Sequence, residues 1–144
     1  MVIPLMPQAG DDARPEPLRF TTAWDLTGVP IADTRDAVSA LLARAGRAAD
    51  RESALSAHLV VSELVTNAVR HAPGPGSLLL VLAPGADRLD IAVRDSSPHP
   101  PVVRPRDPHR IGGHGLLLVT RLCEYLHTSR LRIGKQVMAR MRLI

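Results

Sequence analysis

The tetrad Pro73-Gly74-Pro75-Gly76 constrains this 144-residue chain more than any other feature. Prolines that cannot continue a helix, alternating with glycines, stop whatever regular structure precedes them. Before the tetrad, residues 51–72 carry apolar side chains at helical spacing. At about 100° per residue, Val61, Leu64, Val65, Ala68 and Ala72 fall on one face, which must be core. After the tetrad the period changes to two. Residues 77–83 and 88–94 read as short strands joined by the turn Pro84-Gly85-Ala86-Asp87, the second with Leu89, Ile91 and Val93 on one face. A long helix thus stops abruptly and hands over to a hairpin.

The rest of the chain fits around that centre. Residues 18–24 alternate loosely and predict a first strand at a sheet edge. Residues 31–48 predict a helix, with Pro30 and Asp33 suited to its first turn and Val38, Leu41, Leu42 and Ala45 as its apolar stripe. Residues 96–112 hold five prolines and no usable period, a loop long enough to suggest function or disorder. Gly112-Gly113-His114-Gly115 then opens a helix over 116–125. Strands over 126–132 and 136–143 close the chain around Ile133-Gly134-Lys135. The order β-α-α-β-β-loop-α-β-β, with short turns between successive strands, predicts a mixed, mainly antiparallel sheet with three helices on one face. That is a two-layer α/β sandwich. A Rossmann or P-loop fold needs alternating strands and helices with an early glycine-rich turn, which is absent. Residues 1–16, proline-rich and with Asp11 and Asp12 adjacent, read as a disordered arm before a single domain over 17–144.

Composition narrows the function classes. One cysteine, Cys123, excludes an internal disulfide and any multi-cysteine metal site. Within the pattern Leu116, Leu117, Leu118, Val119, Leu122 it reads as a small buried hydrophobe. The net charge of +4 permits an acidic partner. The arginines are scattered, however, and an aromatic content of 2% leaves little for base stacking, so a direct nucleic-acid partner is not expected. No apolar run reaches the ~20 residues that span a bilayer, and the opening MVIPLMPQAG has no basic segment. The expectation is a cytoplasmic protein that does not engage membranes.

The chemistry-bearing residues lie on the polar side of the long helix. Ser56, Glu63, Asn67 and Arg70 cluster opposite the core face, with His71 toward one edge. A solvated stripe accounts for this pattern. So does a site, because Glu63 and Asn67 at i and i+4 are neighbours. An amide oxygen suits Mg²⁺, and a carboxylate one turn away can accept a proton from an attacking hydroxyl or water. Gly112-Gly113-His114-Gly115 before a helix can aim backbone N–H groups at an anion, or can simply be a turn that admits the helix. Asp95 ends a strand just before the long loop. Its carboxylate can accept from an exocyclic amine such as that of adenine, or can serve the turn.

Taken together these segments resemble the ATPase superfamily of gyrase, heat-shock chaperones of the Hsp-ninety class, histidine kinases and MutL (the GHKL superfamily). Within it they are most similar to the stand-alone domains of actinobacterial anti-sigma-factor serine/threonine kinases. The likeness covers about residues 18–143. Residues 62–72, SELVTNAVRHA, resemble the N box; Asp95 resembles the first G-box aspartate; Gly113-His114-Gly115-Leu116 resembles the second G box.

The resemblance implies roles. Glu63 would be the general base, and Asn67 would hold Mg²⁺ beside ATP. Asp95 would read the adenine amino group. Gly112, Gly113, His114, Gly115 and Leu116 would bind phosphate, with Arg70 and His71 adding positive charge, and residues 96–112 would form an ATP lid. The implied partners are a sigma factor and a STAS-domain anti-anti-sigma protein, with the kinase a homodimer. Two positions depart from the family's pattern: Ser97 stands where the first G box usually has glycine, and Gln136 stands near where the last hairpin usually has threonine. A docking module that regulates a partner without phosphotransfer is the alternative.

Overall fold

Strands with alternate side chains buried form the centre of the molecule. The computed structural model describes residues 16–25, 31–47, 51–99 and 115–143. Along these the chain runs β1 (Leu18–Trp24), α1 (Ile31–Arg44), α2 (Arg51–His71), β2 (Gly76–Leu82), β3 (Arg88–Asp95), α3 (Gly115–Leu122), β4 (Tyr125–Arg130) and β5 (Lys135–Arg142). The strands make one five-stranded sheet in the order β1-β2-β3-β5-β4, with each neighbouring pair antiparallel. The expected two-layer sandwich is therefore present, and β1 lies at an edge as its pattern predicted. The sheet of described strands is wholly antiparallel rather than mixed. Three of its four pairings join strands consecutive in the chain, and β5 enters between β3 and β4 in the same antiparallel sense.

One face of the sheet meets the helices. Leu78, Leu80 and Leu82 from β2, Leu89, Ile91 and Val93 from β3, and Val137, Ala139 and Met141 from β5 are buried there. They share a core cluster with Val38, Leu41 and Leu42 of α1, Val60, Val61, Leu64 and Val65 of α2, and Leu116 and Val119 of α3. Burying each large aliphatic side chain contributes roughly 1.5–3 kcal/mol, so α2, with the most core residues, is the helix most firmly fixed to the sheet. Polar ties between α1 and α2 hold their register: Arg35 Nε donates to Ser62 Oγ at 3.0 Å, and Ser39 Oγ meets His58 Nε2 at 2.9 Å. The opposite face carries Asp90 and Arg140, joined at 2.8 and 3.2 Å, an arrangement that raises the Arg140 pKa through the hydrogen bond and charge of Asp90.

Element boundaries differ from the periodicity in two places. The first helix stops at Arg44, not Ala48. Gly46 takes φ +76°, the Gly46 N–H bonds Ala43 O, and the Arg47 N–H reaches back to Leu42 O at 2.8 Å, a left-handed glycine termination. The third helix ends at Leu122 although the apolar pattern runs on to Tyr125. Cys123 N–H still bonds Val119 O, but the next amide, Glu124, donates to Arg140 O at 2.9 Å and draws the chain into the sheet. Cys123 is consequently half-buried just beyond the helix rather than inside it. The proposed arm over 1–16 falls almost wholly outside the described residues, as does most of the loop over 96–112.

Candidate active site

Core packing on α2 fixes the orientation of its other face. With Val60, Val61, Leu64, Val65 and Ala68 against the sheet, the polar residues Glu63 and Asn67 turn away from it, yet neither is fully exposed. Glu63 lies under the start of α3. A methyl group added at Gly115 would land on the Glu63 carboxylate, so glycine lets the carboxylate sit against the start of α3. The carboxylate is thus held beside the first turn of α3, where unpaired N–H groups gather. Asn67 lies one turn further along the Glu63 face, half-buried. Arg70 and His71 occupy the exposed last turn of α2, where cations also suit the helix dipole.

Gly112, Gly113 and His114 lie outside the described residues, so of the expected cradle the structure places only its end. The Leu116 side chain is buried in the core, so what the residue could offer a ligand is its main chain, the N–H for an anion. Among the described residues no three His, Cys, Asp or Glu side chains gather into a cation site. The single amide oxygen of Asn67 fits an ion that brings most of its ligands itself, as Mg²⁺ does with waters and phosphate oxygens.

Asp95 stands at the end of β3, on the face that bears Leu89, Ile91 and Val93, and hence on the α2 side of the sheet. It is buried and bonded to protein groups. Lys135 Nζ sits 2.9 Å from Oδ2 and 3.0 Å from Oδ1, with both side chains under 5% exposed (4% for Lys135, 3% for Asp95). The Ser97 N–H donates to Oδ1 at 2.9 Å, an Asx turn that opens the loop. Ser96 Oγ donates to Pro75 O at 3.0 Å, tying that loop to the tetrad after α2. The turn-forming reading of Asp95 is therefore realised in the structure.

Lys135 was not singled out in the sequence, where Gln136 drew notice instead. Pairing of Arg94 with Gln136 and of Asp95 with Lys135 in the β3–β5 register puts the two residues on opposite faces. Gln136 Oε1 accepts from Arg94 Nε at 2.8 Å on the outer face, away from Asp95. Period-two alternation back from Met141, Ala139 and Val137 would have identified Lys135 as the inward residue. The turn before it is tight: Gly134 takes φ +81° and packs directly on the Asp95–Ser96 backbone. A cavity of about 340 Å³ lies elsewhere, between β1 and α1, with Phe20, Ala37 and Leu41 in its wall, and none of the candidate residues lines it.

The fold agrees with the comparison to known proteins. The family model of the histidine kinase-like ATPase domain matches residues 28–142. The chain belongs to this family. Membership implies ATP binding and accounts for the sheet, the long α2 and the glycine-opened α3 together. Among solved structures, the histidine kinase-like domain is similar to the crystal structure of the RsbU and RsbW domains of Rv1364c from Mycobacterium tuberculosis, with a TM-score of 0.58 and 20% identity. That match takes in 88% of this chain but 32% of the other, so the domain spans about a third of the structure it resembles. At this identity the likeness establishes the fold. No curated protein matches the domain significantly. Among the described residues no helix is long and apolar enough to cross a membrane.

Proposed function

We propose that this domain binds Mg-ATP between α2 and α3 and acts as a serine/threonine protein kinase on a STAS-type anti-anti-sigma protein, while itself holding a sigma factor as a homodimer in the cytoplasm. The observation that carries the reading is the Glu63 carboxylate set against Gly115 at the opening of α3. It brings a proton acceptor and a helix N-terminus together, two of the elements that phosphoryl transfer to a hydroxyl uses. Asn67, with its amide oxygen on the same face, would hold the Mg²⁺, which when bound neutralises phosphate charge. Gly112, Gly113, His114, Gly115 and the Leu116 amide would cradle the phosphates, and Arg70 and His71 would add positive potential. Asp95 would face the adenine.

In the transfer step Glu63 accepts the proton of the substrate hydroxyl. The hydroxyl oxygen bonds the γ-phosphorus, the bond from that phosphorus to the β,γ-bridging oxygen breaks, and ADP leaves. The resemblance of residues 62–72 and of Gly113-His114-Gly115-Leu116 to the boxes of anti-sigma-factor kinases supports this choice of substrate class.

A second reading has its own support. A non-catalytic docking module would tolerate an Asp95 committed to Lys135 and Ser97, as the structure has it. Incubation with γ-labelled ATP and STAS-domain proteins separates the two. The kinase reading expects label on the STAS protein, lost in Glu63→Ala while calorimetry shows Mg-ATP still bound. Nucleotide binding without any transfer favours the docking module. Loss of binding and transfer together in Glu63→Ala would assign Glu63 to structure.

A further inference from the structure

The ion pair at the end of β3 bears on which nucleotide the site selects, an inference that rests on the ATP-site reading above. A carboxylate offers about four acceptor positions. On Asp95 the ammonium of Lys135 engages both oxygens, at 2.9 and 3.0 Å, and the Ser97 N–H takes a second position on Oδ1. One acceptor position on Oδ2 is left. Lys135 for its part has three protons, and its hydrogen bond to Asp95 uses one of them, on Oδ1, with Oδ2 at ion-pair distance. Another has a poor partner, Ser97 O at 3.5 Å, at the limit of a hydrogen bond.

The pair therefore presents a spare acceptor and a weakly used cationic donor side by side. A lone carboxylate favours a 6-amino purine and repels the carbonyl of a 6-oxo purine. An ammonium–carboxylate pair can meet either edge, donating to O6 by giving up its weakest contact or accepting from the 6-amino group at Oδ2. We propose that Lys135 is a specificity-determining residue that relaxes base selection, so that the site takes 6-oxo and 6-amino purine nucleoside triphosphates with similar affinity.

The test uses the whole chain and two probes, ATP and inosine triphosphate, titrated with Mg²⁺ by calorimetry against the native protein and Lys135→Met. A discriminating hydrogen bond to a charged group changes affinity about tenfold to a hundredfold. The native protein should bind the two within about tenfold of each other, and Lys135→Met should shift the ratio toward ATP by about tenfold or more. A native preference for ATP beyond that range would overturn the proposal while leaving the ATP site intact. So would an unchanged ratio in a Lys135→Met protein that retains the native fluorescence of Trp24. Should Lys135→Met fail to fold, the native ratio decides alone. Absence of binding by either triphosphate to either folded protein would overturn the ATP-site reading itself, and this inference with it.

Discussion

Gly134→Ala isolates the contact that brings the last hairpin onto Asp95. Two costs add at this position. The residue sits at φ +81°, a left-handed conformation that costs a side-chain-bearing residue roughly 1–2 kcal/mol. The new methyl would also press on the Asp95 carbonyl group and stand 2.9 Å from Ser96 Cα. These are backbone atoms at the end of a paired strand, so they cannot swing aside, and overpacking of this kind costs about 1–3 kcal/mol. The expected loss is therefore about 2–5 kcal/mol, against a stability of about 5–15 kcal/mol for a domain of ordinary size.

Gly46 supplies the control. Its φ of +76° nearly equals that of Gly134, but nothing lies within 4 Å of a methyl there. Gly46→Ala should show the conformational cost alone, about 1–2 kcal/mol. Urea titration followed by the fluorescence of Trp24, the single tryptophan and 7% exposed, reads both variants. With urea slopes of about 1–3 kcal/mol per molar, Gly134→Ala should lower the midpoint by ~1 M or more and clearly beyond Gly46→Ala. Equal midpoints for the two variants would refute the reasoning, because they would mean that the hairpin does not bear on the β3 backbone.

Two other perturbations follow from the same geometry. At Gly115 an added methyl meets the flexible end of Glu63 rather than backbone. Gly115→Ala should thus cost no more than a displaced rotamer, about 0.5–1.5 kcal/mol, yet lower phosphotransfer about a hundredfold by misplacing the carboxylate; urea titration and a labelled-phosphate assay measure the two effects, and undiminished transfer would contradict the placement of Glu63. Burial pushes the Cys123 thiol up from 9.0 to about 11. The folded pKa lies above the unfolded one, so the contribution to stability is complete below pH 9 and is lost as the pH rises through 11. Denaturation between pH 8 and 11 should show that decline in the native protein and a shallower one in Cys123→Ala, and thiol reagents at pH 8 should label the native protein far more slowly than the urea-unfolded chain.

The fold was largely legible because its signals are local. The change from a 3.6 to a 2.0 period across Pro73–Gly76, and the alternation of Leu89, Ile91 and Val93, depend on side chains that contact the same core layer in every copy of such a pattern. Boundaries were less legible where a long-range bond decided them. The apolar run through Leu122 says nothing of the Glu124 amide bonding Arg140 O, and that bond ends α3. Within the site, the Glu63–Asn67 spacing could be read directly, but its closeness to Gly115 depends on how α2 and α3 pack. A glycine that opens a helix looks the same in sequence whether or not a carboxylate lies against it.

Asp95 and Lys135 lie 40 residues apart, and on the proposed reading they illustrate why a base-recognition end is harder to read than a phosphate end. A phosphate cradle is written in consecutive residues, since backbone amides and a helix N-terminus form it. On that reading base selection would be set by which side chain stands across the strand pair from the acceptor, and register decides that. A shift of one residue in β5 would turn Lys135 outward and bring Gln136 to Asp95, exchanging a buried ion pair for a neutral amide. The observed register is held by the core residues Val137, Ala139 and Met141 and by the close approach of Gly134 to the β3 backbone. Once those are satisfied, Lys135 has no outward path. Its charge is tolerable in the interior because Asp95 is there, and removing either partner alone should leave a buried charge that strongly destabilises the domain. The chemistry at this end of the site is thus a consequence of core packing as much as of the polar residues themselves, and Lys135 and Asp95 are better regarded as one unit with two hydrogen-bonding characters than as a base-reading carboxylate with a departure beside it.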